Sequence, residues 1–236
     1  MCIKVTRKIL TGCGCLDSKM DGGISPETIT LIYGEAETGK STLAMQCAAN
    51  CAMQNLKTLF IDCDNTFSTK RLSQVSSGKF DEIAELIILV KPIDFSEQTV
   101  LVDHLPDYIA KNFGLVVFDT LNSLYRVKVA ETSGKAFGPS RELNRQMAIL
   151  AQTAKIQHIP IIGTSQVKSV FNETYVSVAP VATRVVQFWA DTIIALKPTE
   201  TPTIIEAVLE KNRNTQESTC YLRISETGIH DYESQY

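Results

Sequence analysis

Nine consecutive residues, Gly34 to Thr42, read GEAETGKST and satisfy the pattern G-x-x-x-x-G-K-[ST]. Gly34 and Gly39 permit a backbone path whose N–H groups turn inward, and Lys40 and Ser41 follow where a helix is predicted to begin. Amides, an ammonium and a hydroxyl converging on a helix N-terminus make a cradle for a polyphosphate. Glu35, Ala36, Glu37 and Thr38 line it between the glycines, Lys40 reaches the outer phosphates, Ser41 ligates Mg2+, and Thr42 continues the helix. Such a site needs a carboxylate for the metal's outer shell, and LVVFDT supplies Asp119 after four apolar residues. An Asp in that place also serves as a helix cap or turn former. Hydrolysis needs a group that activates water: FIDCDNTF offers Asp62 and Asp64, with Asp64 the better placed base and Asp62 structural. Gln166 ends GTSQ, where an amide is positioned to sense a terminal phosphate.

These side chains need a frame. TITLIY (28–33), KTLFID (57–62), LIILV (86–90), LVVFD (115–119) and IPIIGTS (159–165) are short, β-branched, nearly continuous apolar runs that read as buried strands. Between them, 41–54, 68–76, 96–112 and 140–157 repeat apolar residues at helical spacing. Strand and helix in alternation predict an α/β fold with a mostly parallel sheet and helices on both faces. After Trp189, DTIIALKP, TIIEAVLEKN and TCYLRISETG follow with short turns, which predicts a C-terminal antiparallel extension. No repeat or long linker interrupts the chain, so one domain over 1–236 is expected. Segments 126–140 and 168–184 lack periodicity and follow predicted strands, which marks them as working loops.

Among 236 residues, 44% are hydrophobic and 21% charged, ordinary values for a globular chain. No run approaches the ~18 apolar residues of a membrane helix. That predicts a cytoplasmic protein with no membrane partner. The seven cysteines are therefore expected to be reduced and to fill core positions, although Cys13 with Cys15 and Cys47 with Cys51 share short spacings. A formal net charge of −3 argues against coating duplex DNA by bulk charge. Locally, Arg126, Lys128, Lys135, Arg141 and Arg145 face only Glu131 and Glu142, five bases against two acids, a surplus of +3. Such a run is either a solvated face or a phosphate-tracking surface, with Phe137 available for stacking.

The sequence resembles the RecA-like recombinases, and most closely the archaeal RadB proteins. The resemblance runs from LTGCGCLDSKMDGGISPETITLIYGEAETGKSTLAMQ through FIDCDNTFSTKRL, LVVFDTLNSLYR, IPIIGTSQV and WADTIIALK to LEKNRN, nearly the whole chain. It implies a RecA-like core that binds ATP with Mg2+ and binds DNA, single-stranded or branched, through the two loops, adding Lys168 and Arg184 to the DNA-contacting residues. It also implies a role in homologous recombination and DNA repair, with the main RecA-like recombinase or a junction-processing nuclease as protein partner. Arg71 matches the arginine of the family's R-L pair and is expected to stack on adenine; a surface helix charge is the alternative. Lys211 and Arg213 in EKNRN correspond to basic residues that reach a neighbouring subunit's nucleotide in filament-forming relatives, so a homo-oligomer is expected; a solvated hairpin is the alternative.

The chain departs from the family pattern in two places. Asp64 stands where the family carries glutamate, which implies weak ATPase activity. No glycine lies between Lys168 and Asp191, where paired glycines are usual. Core motifs begin by Leu10, so the N-terminal helical DNA-binding domain and polymerisation linker of the archaeal recombinase RadA are expected to be missing, and the expected role is that of an accessory or mediator. The competing reading is a KaiC-like regulatory ATPase acting on proteins. That family places two adjacent glutamates where this chain has DCDNTF.

Overall fold

The structure, a computed structural model, describes residues 7–109, 112–132, 136–166, 179–212 and 217–232, with backbone only for 179–183. In chain order the elements are α1 (Gly14–Lys19), β1 (Ile29–Gly34), α2 (Lys40–Met53), β2 (Lys57–Asp62), α3 (Thr69–Val75), α4 (Phe80–Ile83), β3 (Ile87–Val90), α5 (Phe95–Tyr108) and β4 (Phe113–Asp119). They continue as α6 (Ser123–Glu131), α7 (Phe137–Gln157), β5 (Ile161–Gln166), α8 (Ala179–Trp189), β6 (Thr192–Pro198), β7 (Ile204–Lys211), β8 (Ser218–Ser225) and β9 (Gly228–Asp231).

All nine strands form one sheet in the order β3-β2-β4-β5-β1-β6-β7-β8-β9. The first six are parallel, and β7, β8 and β9 add antiparallel pairings. Burial explains the apolar runs. Alternate residues of β4 enter opposite cores, Leu115 and Val117 on one face with α2, Val116 and Phe118 on the other with α5 and α7. Because β1, β2, β4 and β5 run the same way, their carboxyl ends open on one edge, with Gly34 in register with Gln166 and Asp62 with Asp119.

The antiparallel extension starts one strand later than expected. β6 pairs parallel to β1, because α8 occupies the end of the segment read as a second loop and carries the chain across from β5. The described part of the first expected loop is helical at 126–131 and 137–140, while 133–135 of that segment and 168–178 of the second lie outside the described residues. Leu124, Tyr125 and Val129 bury one face of α6, and Pro139 stands in the first turn of α7, where no amide donor is needed. Glycine and proline obscured this pattern in the sequence.

The two ends of the described chain are fastened beside α2. Asp17 accepts from Thr11 N (2.8 Å), Thr11 Oγ1 (2.8 Å) and Gly12 N (3.2 Å), and Asp231 accepts from Gly14 N (2.8 Å) and Cys15 N (3.0 Å). Gln46 of α2 donates to the carbonyls of Thr11 and Ile229 and accepts from Ile229 N, each over 2.9 Å. Cys15 and Cys220 form a disulfide, contrary to the expectation of reduced cysteines. They lie 205 residues apart and meet only because β8 is laid against α1, a proximity that spacing does not reveal. Cys13, Cys47, Cys51 and Cys63 are buried free thiols, and burial pushes Cys51 up to about 11 and Cys13 to about 12. Alkylation of the unfolded protein without reductant should therefore modify two fewer cysteines than after reduction. Reduction is expected to lower the melting temperature by about 5–10 °C, the loss of a few kcal/mol from opening a long covalent loop. Equal alkylation in both samples would disprove the bridge.

Candidate nucleotide site

The site forms where four parallel strands end. β1 closes on Gly34, where a Cβ would lie 2.2 Å from the Leu196 carbonyl oxygen of β6 and 2.9 Å from Thr38 Oγ1, so the loop leaves the strand only through glycine. Gly39 precedes α2 with φ +85°, and a Cβ there would meet Ile229 Cδ1 at 2.8 Å. Between them the loop curls on itself: Thr38 Oγ1 donates to the Glu35 carbonyl over 2.9 Å, and the Lys40 ammonium donates to the same oxygen. Ala36 and Glu37 are exposed.

Two opposite charges are buried beside this loop. Lys40 is 9% exposed; burial lowers its pKa, while Asp119, Asp64 and Glu35 act in the other direction. Asp119, at the end of β4, is 1% exposed. Burial raises its carboxyl, hydrogen bonds from Thr164 and Ser41 lower it, and the charges of Asp64 and Asp62 add to the rise. Ser41 Oγ donates to Asp119 Oδ1 over 3.1 Å, and Thr164 Oγ1 donates to the same oxygen. Asp119 Oδ2 is buried and has no hydrogen-bond partner among the described residues. A carboxylate with an unpartnered buried oxygen, next to a serine hydroxyl at a helix N-terminus, is an all-oxygen donor set that fits a hard divalent cation and its bound water.

The two carboxylates after β2 differ sharply. Asp62 is 1% exposed and accepts from Thr66 N (3.0 Å) and Phe67 N (2.9 Å), with Lys91 Nζ 3.5 Å away. It braces the turn. Asp64 is exposed and faces the site, with Thr120 Oγ1 donating to its Oδ2 over 2.6 Å. Gln166 is half-buried beside Gly34 at the end of β5.

Arg71 sits in α3 next to the first turn of α2. Its Nε donates to Thr42 Oγ1 (3.3 Å), its Nη1 to the Glu226 carbonyl (2.6 Å) and Gln74 Oε1 (3.2 Å), and its Nη2 to the Ser225 carbonyl (3.0 Å). The guanidinium thus ties the phosphate loop's helix to the β8–β9 turn, a role that a local sequence pattern does not disclose. Thr120, Thr164 and Gln46 escaped sequence reading for the same reason: their partners are distant in the chain.

The basic residues distribute unevenly. Arg126 is half-buried on α6, and Arg141 and Arg184 are exposed on α7 and α8, helices that pack against one another. Lys128 Nζ lies 3.3 Å from Glu131 Oε2. Arg145 makes a two-point pair with Asp103 (2.7 and 3.0 Å) and donates to Glu142, and these bonds raise its pKa. The local positive surplus is smaller than the segment suggests, because Asp103 comes from α5. Phe137 is 83% exposed at the start of α7. Lys211 donates its ammonium to the Ala190 carbonyl of its own chain. Lys135, Lys168 and Arg213 lie outside the described residues.

The family model described as Rad51 matches residues 4–232. A protein of Thermococcus onnurineus named DNA repair and recombination protein RadB is 33% identical over 225 residues, covering 94% of this chain and 96% of the relative. Its namesake in Thermococcus kodakarensis is 33% identical over 227 residues, covering 94% and 99%. A solved structure titled "Crystal structure of the RadB recombinase" superposes with a TM-score of 0.78 at 31% identity, covering 95% of this chain and all of that one. With a Rad51 model spanning almost every residue, and RadB proteins aligned along nearly their full lengths, this chain belongs to the Rad51 family and to its RadB branch.

Proposed function

We propose that the chain is an ATP- and DNA-binding accessory protein of homologous recombination and repair, with weak ATPase activity, working as a single RecA-like core domain in the cytoplasm. The observation that carries this reading is Asp119, a buried carboxylate with one unpartnered oxygen, hydrogen-bonded to Ser41 at the mouth of the Gly34–Thr42 loop. Loop amides, Lys40 and the α2 N-terminus would hold the phosphates, and Ser41 and Asp119 would hold Mg2+. When bound, Mg2+ supplies charge neutralisation on the outer phosphate oxygens. Asp64 acts as the base toward water, Gln166 senses the terminal phosphate, and Arg71 borders the base-binding side. No helix among the described residues is long and apolar enough to cross a membrane.

DNA, single-stranded or branched, is assigned to the side formed by α6, α7 and α8. Its phosphates are met by Arg126, Arg141 and Arg184, with Phe137 for stacking. The names of the relatives support a recombination role, and the partner is then a RecA-like recombinase or a junction-processing nuclease. The Rad51 match favours this reading over a KaiC-like regulator.

Anisotropy of a labelled single-stranded oligonucleotide should rise with protein, fall steeply with salt, and respond to magnesium ATP. Lys40→Ala should abolish the ATP response with the fold intact; an unchanged response would reject nucleotide control. Arg141→Ala should lower the salt slope by about one, the release of one phosphate contact, whereas Arg145→Ala should change it less because that guanidinium is already paired. Asp119→Asn is expected to leave metal-free nucleotide binding within about twofold and to remove the roughly tenfold or greater gain from Mg2+. An undiminished Mg2+ effect, measured by fluorescent-nucleotide titration, would reject Asp119 as the metal's carboxylate.

A further inference from the structure

The end of β4 carries a hydroxyl with no role in the site as described so far. Thr120 follows Asp119, is 5% exposed, and points its Oγ1 at Asp64 Oδ2 over 2.6 Å. An ionised carboxylate only accepts, so the threonine hydroxyl is the donor. Asp64 itself is exposed, beyond the last residue of β2, where a short carboxylate otherwise exchanges among rotamers in water. Thr120, by contrast, is buried in the turn that directly follows β4, where the next residue, Leu121, donates its N–H to the Thr164 carbonyl over 2.9 Å. Thr164 Oγ1 of the adjacent strand lies 3.5 Å from Thr120 Oγ1 and donates to Asp119. The two carboxylates of the site are therefore held by neighbouring buried threonines, one on β5 and one in the turn directly after β4. Asp62 does not compete for the role of base, since both its oxygens take backbone amides.

We propose that Thr120 is a positioning residue for Asp64, occupying Oδ2 so that Oδ1 is the oxygen presented to a water at the terminal phosphate. Among the described residues no hydrogen bond occupies Oδ1. In the step it serves, the water oxygen bonds to the terminal phosphorus and the water's proton passes to Asp64 Oδ1. The bond to the bridging oxygen breaks, with its electron pair leaving on the nucleoside diphosphate. This assignment rests on the reading of the loop as an ATP site and adds the residue that aims its base.

Thr120→Val keeps the shape and deletes the donor; Thr120→Ser keeps the donor; Thr120→Ala serves if valine misfolds. Two readouts apply. In nucleotide-free protein labelled at aspartate carboxyl carbons, the Asp64 resonance, assigned by its loss in Asp64→Asn, should move in Thr120→Val and return in Thr120→Ser. In single-turnover hydrolysis of radiolabelled ATP, Thr120→Val should slow the chemical step about tenfold with ATP affinity unchanged within about twofold, Thr120→Ser should recover most of it, and Thr120→Val should cost nothing further in an Asp64→Asn background. An unmoved resonance, an undiminished rate in Thr120→Val, or no turnover by the unmodified protein would each overturn the assignment. The last two leave ATP-responsive DNA binding, the test of the parent reading, untouched; loss of ATP binding by the unmodified protein would instead defeat the parent reading.

Discussion

The site depends on one constraint, the burial of the Asp119 carboxylate against the start of α2. Removing a carboxylate from water is costly unless donors or an opposite charge compensate. Here Ser41 and Thr164 satisfy one oxygen, the carboxylate in turn opposes the effect of burial on Lys40, and the second oxygen has no hydrogen-bond partner among the described residues. Everything near it serves that arrangement. Central placement of β4 and β1 supplies the buried apolar floor, and parallel direction brings their ends to the same edge. The proposed metal and base positions follow from this geometry: Thr120 follows Asp119 directly after β4, and Asp64 meets Thr120 from just beyond the end of the neighbouring β2.

A second layer of organisation holds the loop from behind. Gln46, one turn and a half into α2, ties the lead-in at Thr11 to Ile229 of β9 by three hydrogen bonds. Ile224 and Ile229 cover Gly39, and the β8–β9 turn holds Arg71, which in turn holds Thr42. Asp231 and the Cys15–Cys220 bridge attach α1 to the same hairpin. The antiparallel extension is thus more than a sheet edge. It is the back wall of the phosphate loop, joined to α2 through packed side chains and hydrogen bonds.

Much of the fold was legible because its signals are local. TITLIY, KTLFID and LVVFD are strands because continuous β-branched runs bury both faces, and GEAETGKST falls between a strand and a helix because glycine and the helix start are written in adjacent residues. The helical parts of the two expected loops, 126–131, 137–140 and 179–184, were missed for the opposite reason. Gly134, Gly138 and Pro139 outweigh the weak apolar face of α6, and α8 begins at Ala179 inside a stretch with no clear repeat. Mistaking α8 for a loop removed the crossover that makes β6 parallel.

The amino-acid sequence by itself determined the phosphate loop, the α/β class and the identity of the candidate carboxylates, since each is carried by residue type and short spacing. Only the tertiary structure decided which of those residues work together. It set Asp62 aside as a turn brace, gave Asp64 to Thr120, engaged Arg145 with Asp103 from another helix, turned Lys211 onto its own chain, and joined Cys15 to Cys220. Pairing across tens or hundreds of residues is fixed by strand order and helix packing, and a charge or thiol carries no local mark of the partner it will meet.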